Sequence, residues 1–166
     1  MFNILNSRDF YNKVIDDYQA FCRDNTSASA AINCALSSYH LAEWIWGDWL
    51  KKDERAKQRL RIETIDDFKK WLDENAYSFS TLQALANGSK HFNRKTIAKS
   101  EVAKVMWSAN GEAPTEQTYL SVEVEHRGDV VWQDYQVVMD QMVMFWWDFM
   151  TEHGPYDDIY AAEQFR

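Results

Sequence analysis

Apolar residues recur at intervals of three to four along five segments of the chain, which is the spacing of one buried face of an α-helix. Each segment follows a residue type that caps helices, and these residues set the predicted starts. The predicted helices cover about residues 7–24, 27–52, 65–75, 80–92 and 135–150. Their predicted caps are Ser7, Ser27 or Ser29, Thr64, Ser80 and Asp134.

A second pattern lies between the fourth and fifth predicted helices. Residues 119–125 alternate apolar and polar side chains, as a half-buried strand does. Residues 126–129 have the composition of a turn, and residues 130–132 can return as the paired strand. No regular period is visible between Asn93 and Pro114, and this segment is predicted to be irregular.

This order of elements predicts a mainly α fold. We expect a helical bundle of about five helices with a small C-terminal β-hairpin. The length of 166 residues suits one domain spanning residues 1–166, with the hairpin at 118–133 and an acidic tail at 151–166.

Composition narrows the class of protein. The longest apolar stretch is far shorter than the roughly 20 residues that a membrane-spanning helix needs, so no membrane association is expected. The first residues lack a basic leader followed by an apolar run, which favours a cytoplasmic protein. Cys22 and Cys34 both fall at positions that helical spacing would bury, and we expect two reduced core thiols.

Charge is unevenly distributed along the chain. The net charge of −8 argues against non-specific nucleic-acid binding, which depends on neutralising phosphates. Two basic runs remain, at residues 51–62 and 90–104. Both are interpreted as solvated surface, with an RNA contact through residues 90–104 as the alternative. The aromatic run at residues 145–149 cannot be buried on one helix face, so Trp146 or Trp147 is expected to be exposed or in a protein–protein or self-association interface.

Two polar stripes interrupt otherwise apolar helices and are the candidate site. The second helix carries Ser37, His40 and Glu43, with the imidazole and the carboxylate one turn apart. The fourth helix carries three further polar residues on one side: Asn87, Lys90 and His91. If the two helices are neighbours, these six side chains can meet in one polar pocket.

Three interpretations of such a pocket are open: a buried hydrogen-bond network, a site for a polar ligand, or a catalytic site. Metal binding is not expected. Di-iron bundles use Glu-x-x-His, whereas the order here is His40-x-x-Glu43. No set of cysteine or histidine residues suits zinc, and no glycine-rich loop suits a phosphate cofactor, so no cofactor is expected.

The segments Ala35-Leu-Ser-Ser-Tyr-His-Leu-Ala-Glu-Trp44 and Ala86-Asn-Gly-Ser-Lys-His91 carry a family resemblance. They look like paired helices in a group of uncharacterised bacterial and phage proteins, in which a short hairpin and a Trp-containing helix follow. The resemblance covers about residues 25–150. It implies the same helical bundle and no particular activity.

More distantly, the arrangement resembles the HEPN superfamily of helical bundles, many of which cleave RNA without a metal. That resemblance implies His91 as general base, with Asn87 and Lys90 holding the phosphate. The arginine of the superfamily motif has no counterpart before His91. We therefore expect a non-enzymatic binding or interaction module, with a metal-independent ribonuclease of a defence or toxin–antitoxin system as the alternative.

Overall fold

The computed structural model describes residues 4–90, 99–108, 114–126 and 129–156. Within them the chain is mainly helical with a small antiparallel sheet, which confirms the predicted fold class in outline. The helices are α1 (Ser7–Arg23), α2 (Ala28–Asp48), α3 (Glu54–Leu60), α4 (Ile65–Asn75), α5 (Phe79–Lys90) and α6 (Tyr135–His153). A 3₁₀ turn covers Leu50–Lys52, and the strands are β1 (Ser100–Trp107), β2 (Thr115–His126) and β3 (Asp129–Asp134).

The first two helices pack along one another and begin at side-chain caps. The side chain of Asn6 accepts a hydrogen bond from the Asp9 amide, so Asn6 caps α1 and the prediction of Ser7 was wrong. Ser7 is instead the first helical residue, and it is fully buried. Ser27 caps α2 by accepting from the Ala30 amide, as one of the two predicted starts required.

The second helix is shorter than predicted. It ends at Asp48 instead of reaching Lys52, and the 3₁₀ turn follows. Asp53 then accepts hydrogen bonds from two amides and caps α3, which was not predicted. A helix of seven residues has only two turns, too few for an apolar period to stand out, and Ala56 and Leu60 are its buried apolar residues.

The next two helices follow the predicted pattern more closely. Thr64 and Asp67 form the predicted capping box at the start of α4. Helix α5 begins at Phe79, one residue before the predicted cap Ser80.

The sheet contains one strand more than the predicted hairpin. The strand order is β1-β2-β3, and both pairs are antiparallel. The predicted hairpin corresponds to β2 and β3, whereas β1 falls in the segment expected to be irregular. Side chains of β1 are mostly exposed on both faces, so this edge strand shows no apolar–polar alternation in its sequence.

Helix α6 buries most of the predicted face. Its apolar period predicts a core side of Val137, Val138, Gln141, Met142, Phe145 and Phe149; Val138, Met142 and Phe149 are buried and Phe145 is half-buried. Val137 and Gln141 are exposed instead, and Trp146 is fully buried. The indole N–H of Trp146 donates to Ser38 on α2 at 3.1 Å, which gives this buried polar atom its partner. The helix continues to His153, so the first part of the expected acidic tail is helical.

The two cysteines lie in different environments. Cys34 is buried, as predicted, but Cys22 is exposed, so the expectation of two core thiols was wrong for Cys22. Both thiols are free. Among the described residues no helix is long and apolar enough to cross a membrane.

Candidate functional site

The predicted pair on α2 is present in the structure. Nδ1 of His40 lies 3.2 Å from Oε2 of Glu43, one turn further along the helix. About 30% of the His40 side chain is exposed, so the imidazole is half-buried and reachable from solvent. The pairing leaves the ring fixed against its own helix.

Lys69 on α4 joins this pair and was not predicted. Its Nζ donates to Oε1 of Glu43 at 2.9 Å, so both oxygens of the carboxylate are engaged. The same ammonium lies 5.3 Å from the ring centroid of Tyr39, within the range of a cation–π contact. Glu43 therefore connects α2 to α4 through a charged hydrogen bond.

The charges of this cluster reinforce one another. Burial raises the pKa of Glu43, but the hydrogen bonds from Lys69 and His40 outweigh it, and the pKa lies below its usual value. Burial lowers the pKa of Lys69, and the carboxylate of Glu43 more than reverses this. Both side chains consequently stay charged at neutral pH.

His40 and Glu43 line an open pocket of about 560 Å³. The other lining residues come from the start of the chain and from the last two turns of α2: Leu5, Phe10, Trp44, Gly47 and Asp48. The pocket thus opens on the α1 side of α2, whereas the sequence predicted a meeting of α2 with α5. Its volume falls in the range of pockets that hold small organic ligands.

One wall of the pocket is aromatic. The rings of Phe10 and Trp44 stack with their centroids 4.8 Å apart and their planes 20° from parallel, which joins α1 to α2. Both rings are half-buried. Beside them Gly47 leaves the pocket open, because a Cβ built there would meet no atom within 4 Å.

The carboxylate at the end of the pocket is held from two distant parts of the chain. Oδ2 of Asp48 accepts hydrogen bonds from the backbone N–H and from the hydroxyl of Ser7, each at 2.9 Å. The Tyr156 hydroxyl, in the segment after α6, donates to the same oxygen. Among the described residues Oδ1 of Asp48 has no hydrogen-bond partner.

These hydrogen bonds also change the pKa values of Asp48 and Tyr156. Burial raises the pKa of Asp48, yet the donors from Ser7 and Tyr156, helped by the charge of Lys52, leave it below the usual value. Burial and the neighbouring carboxylate raise the pKa of Tyr156. Asp48 therefore carries a full negative charge that neutral donors hold in place.

The remaining predicted site residues are distributed differently. The buried hydroxyl of Ser37 bonds to carbonyls of its own helix, at Asn33 and Cys34, so it serves α2 internally. Asn87 is half-buried on α5, and Gln83 of the same helix lies 3.5 Å from the Tyr39 hydroxyl of α2. The Lys90 side chain and the whole of His91 lie outside the described residues.

Sequence reasoning missed Asp48, although one signal was available. An aspartate in the last turn faces the negative end of the helix dipole, which is unfavourable unless specific donors compensate. Phe10 and Gly47 were not among the predicted site residues. Their place in a pocket follows from the packing of α1 on α2, which periodicity does not specify.

Residues 99–104 of the basic segment at 90–104 are among the described residues. Lys99 and Lys104 pair with glutamates of β2, Glu123 at 3.2 Å and Glu116 at 2.8 Å. This pairing reduces the positive charge that these two lysines can offer to a phosphate. In the part of the chain that the structure describes, no group of histidine, cysteine and carboxylate side chains is arranged to hold a metal ion.

Comparison of the chain with protein-family models, with curated proteins and with solved structures gave no match. The resemblances to a bacterial and phage group and to the HEPN superfamily therefore stay predictions from the sequence.

Proposed function

We propose that this protein is a cytoplasmic, non-enzymatic binding module. Its proposed ligand site is the pocket between α1 and α2 that Phe10, His40, Glu43, Trp44 and Asp48 line, here called the α1–α2 pocket. The observation that carries the proposal is that the polar groups of the pocket are fixed by residues outside it. Lys69 holds Glu43, and Ser7 and Tyr156 hold Asp48. Such preorganisation is what a binding site needs, because it reduces the entropy lost when a ligand binds.

The pocket also has the mixed character of ligand sites. An apolar wall supplies contact area, and a few oriented polar groups supply orientation and specificity. Phe10 and Trp44 form the wall, while His40, Glu43 and Asp48 supply the polar groups. The free thiols of Cys22 and Cys34 support the intracellular part of the proposal.

Filling the pocket from Gly47 tests this function. The side chain in Gly47→Leu starts in open space, so the variant is expected to fold and to obstruct the site. In a screen of small metabolite-like compounds by two-dimensional NMR, compounds that shift the Trp44 indole signal should bind at least about tenfold more weakly to Gly47→Leu. Gly47→Ala, which adds one methyl group, is the matched control and should retain binding. If every compound bound both variants and wild type equally, the pocket would not be the ligand site.

Self-association is the second part of the proposal. Among the described residues β1 is an edge strand, and it exposes Val102, Val105 and Met106. An exposed apolar edge is a template for pairing with another strand. In an antiparallel pairing of two copies centred between residues 102 and 103, Glu101 of each copy lies opposite Lys104 of the other, so the charges are complementary.

Metal-independent RNA cleavage stays a prediction of the HEPN resemblance, because its proposed base His91 lies outside the described residues. Purified protein in a chelating buffer would then degrade RNA, and His91→Ala would abolish the cleavage. A folded protein that leaves structured and unstructured RNAs intact would remove this alternative.

A further inference from the structure

We infer that the α1–α2 pocket takes a small organic cation, with a protonated amine or amidinium on a flat apolar body. This inference rests on the proposed binding function and names its ligand class. It follows from three observations: the state of the two carboxylates of the pocket, its aromatic wall, and the net negative charge of the chain.

The two carboxylates of the pocket are not equivalent. Glu43 is paired with Lys69, and its second oxygen lies against His40, so its charge is already compensated. The described hydrogen bonds to Asp48 come from the neutral donors Ser7 and Tyr156, which hold the anion without cancelling its charge. Asp48 is therefore the net anionic group of the lining.

Oδ1 of Asp48, which no described residue hydrogen-bonds, gives the cation a place to bind. The three donors converge on Oδ2, and within the described residues Oδ1 receives no hydrogen bond. An ammonium or amidinium N–H can donate to Oδ1 as a charge-assisted hydrogen bond without displacing Ser7 or Tyr156. Lys52 acts on Asp48 through its charge, but it is exposed and does not line the pocket.

The helix ends beside Asp48 do not decide the preference. Asp48 lies in the last turn of α2, whose dipole makes the potential there negative, but Ser7 in the first turn of α1 donates its N–H to Asp48 and brings the positive end of a second helix. The net charge of the whole chain, −8, favours a cation at long range.

The apolar part of the ligand is assigned to the aromatic wall. Phe10 and Trp44 stack on each other, and both half-buried rings line the pocket. A planar group stacks on such a wall, and an adjacent cation gains further from the ring electrons of the indole. A pocket of about 560 Å³ has room for one such molecule and not for a folded segment of a partner protein.

Three compounds with the same indole body and different charges test the inference. Tryptamine is a cation, tryptophol is neutral and indole-3-propionate is an anion. Titrations followed by two-dimensional NMR on wild-type protein should show tryptamine binding about tenfold tighter than tryptophol, and indole-3-propionate binding weakest. This comparison requires no variant and so cannot fail through misfolding.

Variants at Asp48 and Gly47 show whether the preference for a cation arises in this pocket. In Asp48→Asn the ratio of the affinities for tryptamine and tryptophol should fall from about tenfold to about twofold or less. Gly47→Leu should lower the affinity for all three compounds, whereas Gly47→Ala should leave these affinities unchanged. Equal or reversed affinities in a site that Gly47→Leu blocks would overturn the cation assignment and leave the binding function standing. Binding that is insensitive to Gly47→Leu, for these compounds and for every compound in the wider screen, would overturn both.

Discussion

Single side chains show which parts of the site a sequence can reveal. His40 and Glu43 lie three positions apart on one helix, and helix geometry alone brings them together, so their pairing could be predicted. Asp48 takes its partners from positions 7 and 156, and Glu43 takes one from position 69. Local periodicity contains no information about such contacts, because they depend on how helices pack.

His153 illustrates a buried titratable group outside the pocket. Only 8% of its side chain is exposed, and its ring centroid lies 5.0 Å from that of Phe149. Its Nδ1 has no hydrogen-bond partner among the described residues. Burial lowers the pKa of His153, the charge of Glu152 raises it and that of Arg59 lowers it, with a net decrease. The folded protein therefore holds this imidazole in its neutral form.

The lowered pKa predicts a loss of stability at mildly acidic pH. The unfolded chain binds a proton at His153 from about pH 6.5 downward, while the folded chain resists protonation until its lower pKa is reached. The free energy of unfolding should therefore fall as the pH decreases from about 6.5 toward that lower value. In His153→Phe the fall in Tm between pH 7.5 and pH 5.5 should be smaller than in wild type.

The pH window separates this effect from that of the carboxylates. Glu43 and Asp48 have lowered pKa values, so their contributions are lost below about pH 4. An equal fall in Tm for wild type and His153→Phe above pH 5.5 would show that His153 is not the titrating group.

At the scale of helices and strands, the sequence predicted an element correctly where burial of one face imposes a regular spacing of apolar residues. Five of the helices bury enough apolar residues to show it, and Thr64 with Asp67 marks one start directly. Helix α3 is too short to show a period, and β1 is exposed on both faces. Helix α6 was recognised and most of its predicted face is buried, but Val137 and Gln141 were wrongly placed in the core and the burial of Trp146 was missed, because the helix is apolar on several sides.

The contact of α6 with α2 leads to a prediction about two neighbouring tryptophans. Trp146 is fully buried and donates to the buried Ser38, whereas Trp147 is half-buried. Trp146→Phe leaves a cavity and removes the donor to Ser38, and should lower the free energy of unfolding by roughly 2 kcal/mol or more. Trp147→Phe, the matched control, should cost less than about 1 kcal/mol.

Urea unfolding of both variants measures the difference. A double-mutant cycle of Trp146→Phe with Ser38→Ala then isolates the Trp146–Ser38 hydrogen bond. The double variant should lose less free energy of unfolding than the sum of the two single variants, because the bond can be lost only once. Equal costs for the two tryptophan variants would contradict the assignment of Trp146 as the residue that joins α6 to α2.

At the scale of the whole molecule, exposed apolar side chains are concentrated on the sheet. Val102, Val105 and Met106 on β1 and Val130 and Trp132 on β3 are all exposed. The sequence led us to expect an association surface on α6, at Trp146 or Trp147. Trp146 is buried and Trp147 is half-buried, whereas the sheet carries several exposed apolar side chains, so we propose the sheet, where edge strands can pair, as the association surface.

Two methionines of similar exposure test this surface. Met106 on β1 is 61% exposed and Met144 on α6 is 62% exposed. Sedimentation of wild type should show dimers at tens of micromolar concentration. Met106→Lys should weaken the dimer by about tenfold or more, because it places a charge in the interface, and Met144→Lys should leave it unchanged. Monomeric wild type, or equal effects of the two variants, would contradict association through β1.

The hydrogen bonds that Ser7 and Tyr156 donate to Asp48 have a consequence for the synthesis of the protein. Ser7 and Tyr156 lie 149 positions apart, and their hydroxyls are 3.2 Å from each other beside that carboxylate. A ribosome produces the first of these residues long before the second. The pocket therefore acquires its anchored anion only after residue 156 has been made, and a ligand that depends on this anion would distinguish chains that contain Tyr156 from shorter nascent ones.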